Sequence, residues 1–367
     1  MIYSEINGAA PSLLGFGAMR LPVTADGGVD EPAVFEMVDR AMAAGVNYFD
    51  TAYPYHGGLS EVVLGRALSR YPRESFYLAD KFPGHQVMKK YDPRAVFEDQ
   101  LRRCGVDYFD FYLLHNLTES SWEVYTDPAL GIIDYFLEER RRGRIRRLGF
   151  STHARPETLR RFLDLYGDRM EFCQIQLNYL DDTLQDARAK YDMLTERKLP
   201  IIVMEPVRGG RLARLHPSDE EYLASLRPGR SVASFAFRWL MDLPGVSVIL
   251  SGMSDMSQLL DNISTFSERI PLTDEERLAL SDVAERMKRS VPCTSCRYCV
   301  DGCPVGLDIP TLISTYNELA VARSVNTSML VEFLPEEKKP TACIGCGACF
   351  YQCPEPGAIT IYEIVED

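Results

Sequence analysis

Over roughly the first 270 residues, short β-rich runs alternate with amphipathic helical patterns, and no other feature narrows the possible folds as far. Asp30-Glu31-Pro32 reads as a helix start with proline in the first turn. Val34, Met37, Val38, Ala41 and Met42 then keep the i, i+3, i+4, i+7, i+8 spacing of a buried face, Gly45 stops the helix, and Asn47 to Asp50 follows as a strand. The unit recurs. The spacing predicts strands near 13–17, 47–50, 76–81, 108–114, 145–151, 172–177, 200–204 and 246–250, with helices such as 93–104, 129–142, 183–197 and 231–241 between them. Eight such units predict an α/β protein built on a closed (β/α)8 TIM barrel. A doubly wound open sheet is the rival. It usually carries a glycine fingerprint after its first strand, and Gly15-Phe16-Gly17-Ala18-Met19-Arg20 lacks the third glycine.

In a barrel of this kind the chemistry gathers at the C-terminal ends of the strands. Those ends supply Asp50, Lys81 and His115, spaced 31 and 34 residues apart, about one β-α unit each. Tyr55 lies in the loop after Asp50. A free tyrosine is a poor acid near neutrality, with a pKa of about 10. A neighbouring lysine favours the phenolate, an aspartate holds the lysine charged, and a histidine can position a carbonyl. The set is suited to giving a proton to an oxygen that becomes negative as hydride reaches its carbon.

The residues around these four carry a family resemblance. Phe49-Asp50-Thr51-Ala52-Tyr53-Pro54-Tyr55, followed by Ser60-Glu61-Val62-Val63-Leu64-Gly65-Arg66-Ala67-Leu68, resembles the aldo/keto reductase signature. Ala79-Asp80-Lys81 and Tyr112-Leu113-Leu114-His115 resemble its lysine and histidine segments, and Trp239-Leu240 and Val246 to Gly252 its late helix and last strand. The resemblance implies a barrel, a nicotinamide cofactor (NADPH or NADH), Tyr55 as proton donor, and Asp50, Lys81 and His115 as its partners. It also implies cofactor contacts from Ser151, Gln174 and Met204. Asn262 resembles the adenine-binding asparagine, while Gly252 and Gln258 stand where basic residues often grip the 2′-phosphate. His56 and His85 read as solvated loop residues, His153 is open between a site and a structural role, and Trp122 either lines a substrate pocket or buries a loop. The basic run Arg140 to Arg147 reads as a helix end complementing its dipole.

Eight of the ten cysteines fall in the last 75 residues, a distribution unlike a disulfide scaffold and suited to metal binding in a reducing cytoplasm. Cys104 and Cys173 read as buried apolar residues. Cys293-x2-Cys296-x2-Cys299-x3-Cys303-Pro304 recurs as Cys343-x2-Cys346-x2-Cys349-x3-Cys353-Pro354. Zinc is the alternative metal, since CxxC pairs also bind it. The repeat resembles the run of two-cluster bacterial ferredoxins, in which the fourth cysteine ligates the other 4Fe–4S cluster. That resemblance assigns Cys293, Cys296, Cys299 and Cys353 to one cluster, and Cys343, Cys346, Cys349 and Cys303 to the other. A helix starting at Thr273, with Glu276 as its capping-box partner, links the parts, and Leu312, Tyr316, Leu319 and Ala320 suggest a further helix between the two runs. We expect a barrel over 1–275 and a linking helix with a small, mainly helical ferredoxin-like domain over 276–367.

The chain has 40 basic and 53 acidic residues, a net charge of −13, which argues against a nucleic-acid partner. No apolar run approaches the ~20 residues of a membrane span, and no secretory signal is visible, so we expect a cytoplasmic protein without a membrane partner. The expected function is an oxidoreductase interconverting a small carbonyl and an alcohol, with an electron-transfer protein as a further partner. Hydride carries two electrons and each cluster one, so a direct relay needs a splitter such as flavin, for which no motif is seen. The clusters are therefore open to electron-transfer, structural or sensing roles. The alternative is a redox-sensing protein whose barrel binds dinucleotide without efficient turnover.

Overall fold

The computed structural model describes residues 1–184, 186–287, 291–321, 331, 334–355 and 361. By compactness the chain divides into two units. One comprises Met1–Asn178, Asp186–Pro206 and Ala233–Thr273; the other comprises Tyr179–Gln185, Val207–Val232 and Asp274–Asp367.

The first unit is a closed barrel of eight parallel strands in sequence order. They are β1 (Leu14–Gly17), β2 (Tyr48–Asp50), β3 (Tyr77–Phe82), β4 (Phe109–Leu117), β5 (Ile145–Thr152), β6 (Cys173–Gln176), β7 (Ile201–Met204) and β8 (Val246–Ser251). Each falls where the apolar runs predict it, and closure removes the open-sheet alternative. The helix Glu31–Ala43 begins on Asp30, whose carboxylate accepts the Ala33 N–H at 3.2 Å. The helix Pro93–Cys104 begins on Asp92 and ends at Gly105, whose φ of 65° needs the freedom of glycine.

The barrel interior is filled by Tyr48, Ala79, Phe111, Leu113, Phe172, Ile202, Val248 and Leu250. An antiparallel turn at the N-terminus, with bridges Tyr3–Ser12 and Ile6–Ala9, adds Ile6 and Ala9 to this core. Arg147 of the basic run donates to the carbonyls of Ile6 and Asn7, both at 2.9 Å. Four more arginines of that run pair with nearby carboxylates. Arg140 meets Glu171, Arg141 and Arg142 meet Glu138, and Arg144 meets Glu98 and Glu139.

In the second unit, the linking helix spans Asp274–Met287. Glu276 is buried on this helix. Its two carboxylate oxygens accept Nε and Nη2 of Arg227, each at 2.6 Å, because the side chain is buried and needs a countercharge. The helix anticipated between the cysteine runs spans Ile309–Val321. Its Leu312 and Ile313 pack with Cys299, Leu307, Ile309 and Ile361 into a small core. No helix among the described residues is long and apolar enough to cross a membrane.

One packing contact fixes how helices sit on this barrel. Gly65, in the helix Leu59–Leu68, faces the backbone of Cys104, and a Cβ there would lie 2.4 Å from the Cys104 carbonyl oxygen. Gly65→Ala must therefore push the helix outward. We predict a loss of ~1–3 kcal/mol from overpacking, read as a lowered barrel melting temperature, with unchanged melting as the contrary result.

Candidate functional site

Parallel pairing settles which side chains share the barrel interior, because partners on neighbouring strands point to the same face and orientation alternates along each strand. Asp50 pairs with Ala79, so Lys81, two residues on, faces the same way. Lys81 pairs with Leu113, which brings His115 to that face in turn. The same step continues from Leu113 to its partner Gly149 and on to Ser151, then across to Gln174. Gln174 pairs with Ile202, and Met204 lies two residues beyond. The sequence-predicted residues of β2 to β7 thus form the top polar layer of a barrel whose lower layers are apolar.

Lys81 has no exposed surface, and Asp50 and His115 are almost as buried. The ammonium donates to Asp50 Oδ1 at 2.5 Å and to the Thr51 carbonyl at 2.6 Å. It lies 5.0 Å from the centre of the Tyr55 ring. The His115 ring stands edge-on to Tyr55, with centroids 6.0 Å apart. Burial pushes the Asp50 carboxyl up, against the pull of Lys81. Burial also holds His115 well below the ordinary imidazole range, reinforced by His85 and Lys81, so the ring is neutral. The Tyr55 phenol departs from the sequence expectation of a lowered pKa. Burial raises it well above its ordinary value, Asp50, Glu205 and Asp80 push the same way, and Arg20 pulls it down. A phenol in this setting stays protonated through neutral pH.

Several buried polar atoms in this layer find no hydrogen-bond partner among the described residues. They include Asp50 Oδ2, His115 Nδ1, Asn116 Oδ1 and Gln174 Oε1. Native interiors rarely leave such atoms unmet, so this cluster marks a place suited to a polar ligand. The residues fit a nicotinamide carboxamide. Gln174 offers a free acceptor, and Ser151 Oγ accepts the Asn116 N–H at 2.8 Å, leaving its own proton to donate. Gln174 Nε2 also reaches Met204 Sδ at 3.5 Å. Thr152 is committed to the backbone through Leu117 O at 2.8 Å and Ala154 N at 3.0 Å.

The more distant cofactor residues are placed differently. Gln258 folds over the start of the helix Met256–Phe266, accepting from Ser254 N and donating to Asp255, both at 2.9 Å. Buried Asn262 donates to Ser251 Oγ at 2.9 Å. Gly252 leaves room for Arg20, whose aliphatic stem would lie 3.1 Å from a Cβ.

The histidines sort by their contacts. His85 is not the solvated residue expected; its ring packs 4.4 Å from His115, and burial lowers its pKa to about 4. His153 is likewise held neutral, at about 3. His56 accepts the Leu21 N–H at 3.2 Å. Trp122 packs against Phe162 and beneath the Arg161 guanidinium, which makes it a loop anchor. Sequence reasoning missed Tyr125, whose hydroxyl lies 2.6 Å from the His115 carbonyl and 3.2 Å from that of Phe82, fastening the ends of β3 and β4 together. It also missed the Arg20–Glu205 ion pair at 3.4 Å, for which residues 185 positions apart give no local signal.

In the second unit, Cys303, Cys343, Cys346 and Cys349 line one hollow of ≈360 Å3, open mouth included, with Leu307 and Ile309. Burial raises the Cys353 thiol, and Cys296 and Cys299 of the first run add to the shift. Burial lifts Cys299 to about 12, again with Cys296 and Cys293 contributing. Among the described residues no group of three His, Cys, Asp or Glu side chains is set to hold a single metal ion. Four thiols around an apolar hollow suit a bulkier sulfur-rich group. Cys104 and Cys173 are buried, Cys104 with its sulfur 3.8 Å from Asp80.

Comparison with known proteins agrees with both units. Residues 13–285 match the aldo/keto reductase family model, and residues 292–359 match that of a 4Fe-4S dicluster domain. The NADH-specific methylglyoxal reductase of Escherichia coli is 23% identical over 72% of this chain and 91% of its own length. The uncharacterized oxidoreductase YqkF of Bacillus subtilis is 27% identical over 73% of this chain and 91% of its own. Among solved structures, the holo form of aldo-keto reductase AKR11C1 from Bacillus halodurans superposes with a TM-score of 0.61 at 27% identity, covering 77% of this chain and 96% of that one. The chain therefore belongs to the aldo/keto reductase family, as an oxidoreductase that carries a 4Fe-4S dicluster domain after its barrel.

Proposed function

We propose that the barrel interconverts a small carbonyl and an alcohol with a nicotinamide dinucleotide, using Tyr55 as the proton donor. The observation that carries this reading is the buried Lys81–Asp50 pair beneath the Tyr55 ring, with a neutral His115 beside it. A bound nicotinamide supplies the hydride. Ser151 and Gln174 hold the carboxamide, with Met204 beside them. His115 directs the substrate oxygen toward Tyr55. As that oxygen gains negative charge, Tyr55 passes its proton to it, and the Lys81 ammonium stabilises the phenolate left behind. Asp50 keeps the ammonium charged where water cannot. The products are the alcohol and the oxidised dinucleotide, so atoms and electrons balance without the second unit. In the oxidative direction the same groups act in reverse.

Asp255 bears on the choice of dinucleotide. Its carboxylate caps the helix Met256–Phe266 and is held below its usual pKa by a hydrogen bond from Ser257. Gln258, rather than a basic side chain, stands beside it. A carboxylate here repels a 2′-phosphate and can accept from a ribose hydroxyl. The E. coli relative, NADH-specific by name, is consistent with this.

We further propose that the eight tail cysteines hold two 4Fe–4S clusters, one on Cys293, Cys296, Cys299 and Cys353, the other on Cys303, Cys343, Cys346 and Cys349. A bound cluster supplies transfer of one electron at a time. Cys346 is exposed, whereas Cys299 is buried, so the second cluster is the one open to an external electron-transfer partner.

Tyr55→Phe should retain the fold and dinucleotide binding, followed by fluorescence titration, while carbonyl turnover falls ~10²–10⁴-fold with the loss of the general acid. Turnover within threefold of the parent on a good substrate would remove Tyr55 from the role. The parent should use NADH in preference to NADPH in kcat/KM, and Asp255→Asn, which keeps the cap but not the charge, should narrow that preference several-fold. Anaerobically prepared protein should contain about eight iron atoms and eight sulfides per chain. In Cys303→Ser the EPR signature of the second cluster should change while that of the first persists; zinc without sulfide would refute the cluster reading.

A further inference from the structure

Two arginines three positions apart, Arg208 and Arg211, stand on the segment that follows β7 and belongs to the second unit. Arg208 has no exposed surface and a positive φ of 50°. Its Nε donates to Asp181 Oδ1 at 2.9 Å, and its Nη2 donates to Glu355. Both acids are buried, and Glu355 lies two residues after Cys353. Half-buried Arg211 donates from Nη1 to the Val291 carbonyl at 3.3 Å, two residues before Cys293. Cys293 and Cys353 are the first and last thiols of the same crossed group. One short stretch of chain therefore fastens a cation to each flank of that group.

The charges are not equivalent. Arg208 is engaged by two carboxylates within its own buried cluster. Arg211 is destabilised by burial and by Arg208, and the anions that favour it include the Cys293 sulfur and Glu355. A cube ligated by four thiolates is anionic and gains one further negative charge on reduction. A cation held nearby at low dielectric favours the reduced state over the oxidised one. Among the described residues that line the hollow of the other group, Cys303, Cys343, Cys346 and Cys349, there is no arginine; Lys338 is exposed and donates to the Gly306 carbonyl at 2.8 Å.

We infer that Arg211, seated beside Arg208, raises the reduction potential of the cluster on Cys293, Cys296, Cys299 and Cys353, and that Asp181 opposes it. The two arginines are positioning and tuning residues that touch no substrate. The inference rests on the two-cluster reading above.

The test is an EPR-monitored redox titration of the anaerobic full-length holoprotein. Arg211→Gln should lower the potential of one cluster by about tenfold in its reduction equilibrium, ~59 mV for a one-electron couple, and leave the other in place. Arg211→Lys, which restores the charge, should recover most of that loss. Asp181→Asn, which removes a buried anion, should shift the same cluster upward. Opposite signs from two substitutions in one network are not produced by simple structural damage, and Asp181→Asn carries the test alone if Arg211→Gln fails to retain both clusters. If the parent shows two clusters and Asp181→Asn leaves both potentials unchanged or lowers the first, the inference is overturned while the cluster reading stands. If the parent shows no paramagnetic cluster after reduction and contains no sulfide, the cluster reading itself fails and takes the inference with it.

Discussion

Eight parallel strands close into a barrel only with a consistent stagger, and that stagger decides which side chains can meet. From Asp50 to Lys81 to His115, on β2 to β4, the move to the next strand keeps the inward face and climbs two residues. The interior is a column of apolar layers with one polar layer on top. A lysine can occupy that layer only because the neighbouring strand delivers a carboxylate at hydrogen-bond distance. In the function proposed above, Lys81 in turn makes a partly buried tyrosine useful as an acid, since the phenolate it leaves behind has a cation within reach. The strand register, with Tyr48, Phe111 and Phe172 packed in the apolar core beneath, is therefore what brings these polar side chains into one layer.

Much of this was legible in the sequence because it is written locally. Strand and helix periods repeat every thirty or so residues, and the polar strand ends stand out against apolar runs. The rest depends on pairs distant in the chain. Nothing near Tyr125 signals that its hydroxyl reaches His115 and Phe82, and nothing near Arg20 points to Glu205. The Tyr55 pKa was misjudged for the same reason. One lysine was visible at the neighbouring strand end, whereas the burial and the carboxylates of Glu205 and Asp80 emerge only from the assembled barrel. Glu276, read only as a capping-box residue, also pairs with Arg227, 49 positions away.

The cysteine runs were the most legible feature and the one whose surroundings were least so. Their spacing names the chemistry, but not the difference between the two groups. Cys299 is buried in the small core formed with Leu312 and Ile313, while Cys346 is exposed among Ile344, Phe350 and Tyr351, which also face solvent. Solvent access and nearby charge are the main means by which a protein separates the potentials of chemically identical clusters. Two equal sequence motifs thus become two unequal environments.

The discontinuous makeup of the second unit bears on how such a protein can be rebuilt. Residues 179–185 and 207–232 are encoded within the barrel's own stretch of gene, yet they group with the tail. A fusion that transplanted only residues from 274 onward onto another barrel would leave Asp181 and Arg208 behind. Buried Glu355 would then lose the Arg208 guanidinium it pairs with. The ferredoxin-like tail is therefore not a portable cassette: the unit of exchange, in engineering as in recombination, is the tail together with the two loops that precede it.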